Sequence, residues 1–89
     1  MKQIYRTTQF KKDVKRLKKQ GKDFAIFKQI LTQLAQGNPL TEKYRDHKLS
    51  GEFAGKRECH LEPDWLLMYE SGKDEMILVR MGSHAELFE

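Results

Sequence analysis

The stretch Arg57-Glu58-Cys59-His60-Leu61-Glu62-Pro63-Asp64-Trp65-Leu66-Leu67-Met68-Tyr69 decides the fold. Polar and apolar residues alternate before Pro63, and bulky apolar and aromatic residues follow it, so two strands meet at a Glu62-Pro63 turn. Ser71-Gly72-Lys73-Asp74 marks the next turn, and Ser50-Gly51 and Gly55 mark earlier ones. Strands near 47–50, 56–61, 65–70 and 75–81 follow, an antiparallel meander. With Gly72-Lys73 as a two-residue turn, Trp65 pairs with Arg80, Leu67 with Leu78 and Tyr69 with Met76. Cys59, Leu61, Leu66, Met68, Ile77 and Val79 then make the apolar face that meets the helices. Glu58, His60, Trp65, Tyr69 and Arg80 share the outer face. A β-bulge in either hairpin would break this alignment.

The pattern ahead of the meander is helical. Gln3-Ile4-Tyr5-Arg6 is a short strand candidate, and Thr7 or Thr8 offers a hydroxyl to cap a helix running to about Gln20, with Gly21 at its end. Phe10, Val14 and Leu17 form one narrow stripe, while Lys11, Lys12, Lys15, Arg16, Lys18 and Lys19 spread over the other side. Asp23 caps a second helix in which Phe24, Phe27, Ile30, Leu31 and Leu34 recur at three- and four-residue spacing, a core pattern. Gly37-Asn38-Pro39 ends it. The order β-α-α-β-β-β-β predicts an α+β fold with two N-terminal helices packed on one face of an antiparallel sheet.

At 89 residues and 38% hydrophobic, the chain, 1–89, is a single domain with one modest core. A lone Cys59 excludes a disulfide framework and any cysteine-rich zinc module, and no apolar run reaches the length of a signal or membrane segment. A reducing cytosol is the expected compartment. The net charge of +4 conceals an asymmetry: residues 1–45 hold twelve Lys and Arg against three acids, and residues 46–89 five against ten. The basic first helix suits a polyanion such as RNA, an acidic protein partner, or simply solvent.

All three histidines lie in the acidic half, each near an acid: His47 after Asp46, His60 before Asp64, and His84 before Glu86. Imidazoles titrate near neutrality and suit proton transfer. The spacing lacks the helical His pair of zinc hydrolases, so no metal and no other cofactor is expected. Cys59, on the apolar face with no activating base, is not a nucleophile candidate. Metal-free RNA cleavage fits the set. Two histidines would share the work of base and acid, Arg80 or Arg57 would supply a cation at the phosphate, and Trp65 or Phe88 would stack on an unpaired base. A nucleic-acid-binding module without catalysis is the competing reading.

Three segments, Asp46-His47-Lys48-Leu49-Ser50-Gly51, Arg57 to Tyr69, and Arg80-Met81-Gly82-Ser83-His84-Ala85-Glu86-Leu87-Phe88, together resemble the YafQ-like branch of the RelE/ParE toxin superfamily. The resemblance spans essentially the whole chain. It implies a RelE-like fold and a toxin of a type II toxin–antitoxin pair, a ribosome-dependent endoribonuclease acting on translated mRNA in the A site. It implies His60 and His84 as acid/base residues, His47 as positioning RNA or assisting proton transfer, and Asp64 as taking part in, or orienting, the proton-transferring groups. Trp65 and Phe88 would shape the mRNA surface, with Arg57, Arg80 and the basic helix contacting RNA. The implied partners are a cognate DinJ/RelB-like antitoxin encoded nearby, the ribosome with its A-site mRNA and, through the antitoxin complex, operator DNA; no membrane is implied. The compartment would be the bacterial or archaeal cytoplasm. Phe53, where the family often has Trp, and Met81, where a small hydroxyl residue is common, depart from the pattern. A gyrase-inhibiting ParE-like toxin and an RNA-binding or corepressor module are the alternatives.

Overall fold

The structure, a computed structural model, describes residues 1–88. In chain order its elements are β1 (Gln3–Arg6), α1 (Thr8–Lys19), α2 (Ala25–Ala35), β2 (His47–Lys48), β3 (Arg57–Glu62), β4 (Trp65–Ser71), β5 (Glu75–Gly82) and α3 (His84–Phe88). Single 3-10 turns at Glu42–Tyr44 and Gly51–Phe53 flank β2. The strands form one sheet in the order β1-β5-β4-β3-β2. The meander β2 to β5 is antiparallel as expected, and β1 lies parallel to β5 at the edge, so the sheet is mixed. All four β1 side chains are exposed, which is why its sequence carries no alternation to say which strand it joins.

The Thr7 side chain accepts a hydrogen bond from the Phe10 amide, which satisfies a free donor of the first turn of α1. Phe10 and Leu17 are buried and Val14 partly so, while Lys11, Lys12, Lys15, Lys18 and Lys19 are exposed. The Asp23 carboxylate accepts from the Ala25 amide at the start of α2. Phe27, Ile30 and Leu34 of α2 pack with Phe10, Leu17 and one sheet face in a single core. Aromatic rings link the helices to one another and to the sheet: Phe10 to Phe27 at 6.1 Å, Phe24 to Phe27 at 5.9 Å, and Phe24 to Trp65 of β4 at 5.5 Å between centroids.

The face assignment made from alternation is overturned. The core face consists of Cys59, Leu61, Trp65, Leu67, Tyr69, Met76, Leu78 and Met81. Cys59 and Leu61 are there as expected, but Trp65 and Tyr69 are with them, and Leu66 and Met68 occupy the other side. Two irregularities cause this. Glu62 pairs with Trp65, but the register shifts before His60 pairs with Leu66, so parity across the turn is restored within one step. A second shift between Met68 and Tyr69 puts Arg80 opposite Met68 and Met81 opposite Leu67. The final turn also differs: Gly72 N–H bonds to the Glu75 carbonyl, which makes Lys73-Asp74 the central pair and sets Tyr69 opposite Leu78. Leu66 and Met68 are nonetheless buried, at 0% and 1% exposure, so neither face of β4 is open to water.

Candidate active site

The three histidines come from three elements and meet on the sheet face opposite α1 and α2. His47 on β2 lies directly across from Glu58 on β3, and Glu58 and His60, two residues apart, share a face of that strand. His84 opens α3, just after β5. The His60 ring is 6.2 Å from His47 and 5.6 Å from His84, and the row continues from His84 to Phe88 at 6.4 Å and edge-on from Phe88 to Phe53 at 5.3 Å. The sequence-expected residues His47, His60, Asp64, His84 and Phe88 are thus assembled in one place.

Each ring is held by a defined neighbour. His47 Nδ1 is 2.6 Å from the Arg45 carbonyl, which only accepts, so that nitrogen carries the proton and Nε2 is left free. His47 Nε2 and His60 Nε2 lie 3.7 and 3.3 Å from the same oxygen of Glu58, a buried carboxylate. Asp64 Oδ1 accepts from both the backbone N–H of His84, at 3.0 Å, and its Nδ1, at 2.9 Å. His84 therefore also carries its neutral-state proton on Nδ1 and presents Nε2. The His84 backbone bond and then its ring hold the Asp64 carboxyl below the usual carboxylate range, so it is anionic at neutral pH.

Asp46 is engaged by Tyr69 and Arg57 instead of by a histidine. It accepts from the Tyr69 hydroxyl at 2.6 Å and from Arg57 Nε at 3.3 Å, anchoring the chain just before His47. Burial, and then Asp46, raise the Tyr69 phenol, which stays protonated. The Cys59 thiol is pushed up to about 12 by burial, in keeping with a core residue.

Four of the residues expected to contact RNA are placed differently. Trp65 is 1% exposed and packs on Phe24, so its ring is core and offers no open stacking surface. Arg57 pairs with Asp46. Arg80 donates to both oxygens of Asp13, at 3.0 and 3.1 Å, so its charge is matched within the protein. Arg16 departs from the solvated lysine face of α1: it reaches Asp13 at 2.7 Å, the Met81 carbonyl at 3.0 Å and Glu86 at 2.8 Å. Phe88, at 38% exposure, and the five lysines of α1 remain accessible.

Sequence reasoning missed Glu58, although the alternation that places it beside His60 was legible. It also missed the Ser83-His84-Ala85-Glu86 capping box. There Ser83 N–H donates to Glu86 Oε1 at 2.9 Å, and Glu86 N–H donates to Ser83 Oγ at 3.2 Å.

A small α+β domain with two N-terminal helices on a five-stranded sheet and a histidine row beside its last strand is the architecture of RelE-like toxins. The sequence model of the family described as "Bacterial toxin of type II toxin-antitoxin system, YafQ" matches residues 2–89. The mRNA interferase toxin YafQ of Escherichia coli strain K12 is 41% identical over 81 residues, 90% of this chain and 88% of that one. YafQ in the crystal structure of the E. coli DinJ–YafQ complex superposes with a TM-score of 0.93 at 38% identity, covering all of both chains. A metal-bound toxin from Helicobacter pylori superposes with a TM-score of 0.92 at 43% identity, covering 99% of this chain and 100% of that one. The chain belongs to the YafQ family of type II toxin–antitoxin toxins, and as a member it is an endoribonuclease. Among the described residues no helix is long and apolar enough to cross a membrane.

Proposed function

We propose that this toxin cleaves translated mRNA in the ribosomal A site by metal-independent acid/base chemistry divided among its histidines. The observation that carries the reading is the row of three imidazoles flanked by two carboxylates, Glu58 beside both His47 and His60 and Asp64 on His84. One imidazole takes the proton of the ribose 2′-OH. The freed oxygen attacks the adjacent phosphorus, and the bond to the departing 5′-oxygen breaks as a second, protonated imidazole supplies its proton. The products are a 2′,3′-cyclic phosphate and a 5′-hydroxyl, with no water consumed. Asp64 orients His84 and stabilises its imidazolium, and that cation also offsets charge building on the phosphate. With Arg57 and Arg80 committed to Asp46 and Asp13, the imidazoliums are the site's own cations.

The exposed lysines of α1 supply a polyanion surface for ribosomal RNA, and Phe88 an accessible ring for a base. The cytoplasm is the compartment in which such a toxin meets ribosomes. A DinJ-like antitoxin is the partner that would restrain it, and the pair would reach operator DNA through that antitoxin.

Cleavage of an mRNA programmed into ribosomes, read by primer extension, tests this. Wild type is expected to cut in the A-site codon only when ribosomes are present, and equally after the toxin has been stripped with EDTA and then freed of the chelator. His60→Ala and His84→Ala should each lose about a hundredfold or more in rate while remaining folded. Full activity in both folded variants would remove the histidines from the chemistry, and intact mRNA with accumulating DNA damage would favour gyrase inhibition.

One geometric observation favours a second reading. Ligand atoms of His47, Glu58 and His60 lie within 4.8 Å of one another, and the similar H. pylori toxin is described as metal-bound. His47 has its other nitrogen on a backbone carbonyl, as metal-ligating histidines do, so this donor set suits a zinc- or copper-like ion. Such an ion would act as a Lewis acid at the phosphate. Loss of cleavage by toxin stripped with EDTA and freed of the chelator, restored by Zn²⁺, would establish this reading over the first.

A further inference from the structure

The apolar stripe of α1 carries a charge that the mechanism above does not use. Asp13 is completely buried between Phe10 and Leu17, and its carboxylate accepts from Gln9, Arg16, Arg80 and the Met81 backbone amide. Burial alone would raise its pKa. The hydrogen bonds from Arg80, Arg16, Met81 and Gln9 outweigh that and hold it at about 2. Asp13 thus fixes Arg16, and Arg16 spans from α1 to the end of β5 and the first turn of α3 through the Met81 carbonyl and Glu86. Glu86 in turn closes the capping box on Ser83, the residue before His84.

The fit around this joint is close. A Cβ on Gly82 would stand 2.7 Å from both Arg16 Nη2 and Glu86 Oε1, so only glycine lets the strand end and the guanidinium approach as they do. The five-residue α3 is too short to be stable by its own backbone bonds. It is exposed at His84 and Ala85 and anchored on its inner side by Leu87. The orientation of the His84 ring toward Asp64 depends on where this turn is held.

We infer that Arg16 and Glu86 are positioning residues for His84: the Asp13–Arg16–Glu86 chain clamps the first turn of α3, so that His84 keeps Nδ1–H on Asp64 and Nε2 toward the substrate. This deepens the acid/base reading proposed above and assigns Arg16 to the site's framework instead of its RNA-binding surface. It also explains why one cation of α1 turns inward while its five lysine neighbours face solvent.

Glu86→Ala is the decisive variant, because it leaves Asp13, Arg16 and Arg80 paired and so spares the core. Arg16→Met is the companion, and Glu86→Gln, which keeps the acceptor for Ser83 N–H, is the conservative rescue. Two readouts separate positioning from mere stability. Ring ¹⁵N chemical shifts at neutral pH report the His84 tautomer directly, whether or not the protein cleaves RNA. Wild type is expected to show one Nδ1–H tautomer, Glu86→Ala a mixture, and Glu86→Gln recovery toward wild type, with His47 unchanged throughout. In the ribosomal assay, kcat should fall about tenfold or more in Glu86→Ala with KM unchanged. Wild-type His84 shifts and wild-type kcat in folded Glu86→Ala would overturn the inference. A single wild-type tautomer that Glu86→Ala disrupts, while folded His60→Ala and His84→Ala still cut mRNA at the wild-type rate, would uphold the clamp and reject the acid/base reading.

Discussion

Trp65 and Phe88 are both aromatic neighbours of site residues in the sequence, yet one is 1% and the other 38% exposed. Their roles separate accordingly. Trp65→Ala removes a core ring packed against Phe24 and should cost about 3–5 kcal/mol in a urea unfolding measurement. Phe88→Ala should leave the unfolding midpoint nearly unchanged and raise KM for programmed ribosomes, by about tenfold, the loss of one base-stacking contact. Equal effects of the two substitutions on KM, with both proteins stable, would contradict this division. The motifs singled out the histidines, but the acids adjacent in sequence are not their partners: His47 and His60 share Glu58, and His84 takes Asp64 instead of Glu86. Only the Glu58–His60 pair, two apart on one strand, is local. Arg80 finds Asp13 from 67 residues away, and nothing in the sequence marks Asp13 as the meeting point of Arg16 and Arg80.

At the scale of elements, α1 divides into an anchoring side and a lysine side. Charge reversal at Lys11, Lys15 and Lys18 together should weaken association with ribosomes and flatten its dependence on salt, since each lost phosphate contact is one less released counterion. Histidine tautomers and the rate of the bound complex at saturation should not change. A salt dependence as steep as in wild type would show that the lysines are only a solvated face. The helix boundaries were legible because caps and punctuation are written locally: Thr7, Asp23, Gly21 and Gly37 act within a few residues of where they stand. The strand register was not. Both hairpins contain a shift, and a shift of one residue exchanges the two faces of a strand. In β4 five consecutive buried residues, Trp65 to Tyr69, also erase the contrast between faces on which alternation depends.

For the whole molecule, acid is the condition that reaches every joint of the site at once. Asp13 falls from an ordinary 3.8 to about 2 in the folded protein. Asp64 and Glu86 are likewise held below their ordinary 3.8 and 4.5, chiefly by the His84 and Ser83 backbone N–H groups. Groups with a depressed folded pKa contribute stability that is full above the unfolded value and lost as pH falls through the folded one. The melting temperature should therefore be insensitive to these groups above about pH 5 and fall steadily from there toward pH 2. Asp13→Asn should lower stability at pH 7 by about 3 kcal/mol and flatten the acid slope. An unchanged slope in a folded Asp13→Asn variant would show that Asp13 is not the group being titrated.

The sequence by itself determined the element types and their order, the basic first helix, the family, and the histidines as the candidate proton carriers. All of these follow from local pattern, caps and motifs read within a few residues. Only the tertiary structure decided that β1 joins β5 in parallel, that Trp65 lies in the core, and that Asp13 binds Arg16, Arg80 and the end of β5. Strand partners and faces depend on bulges whose cost is settled by packing on both sides of the sheet. A buried carboxylate depends on donors that reach it from the far end of the chain, and only folding brings them within hydrogen-bond range.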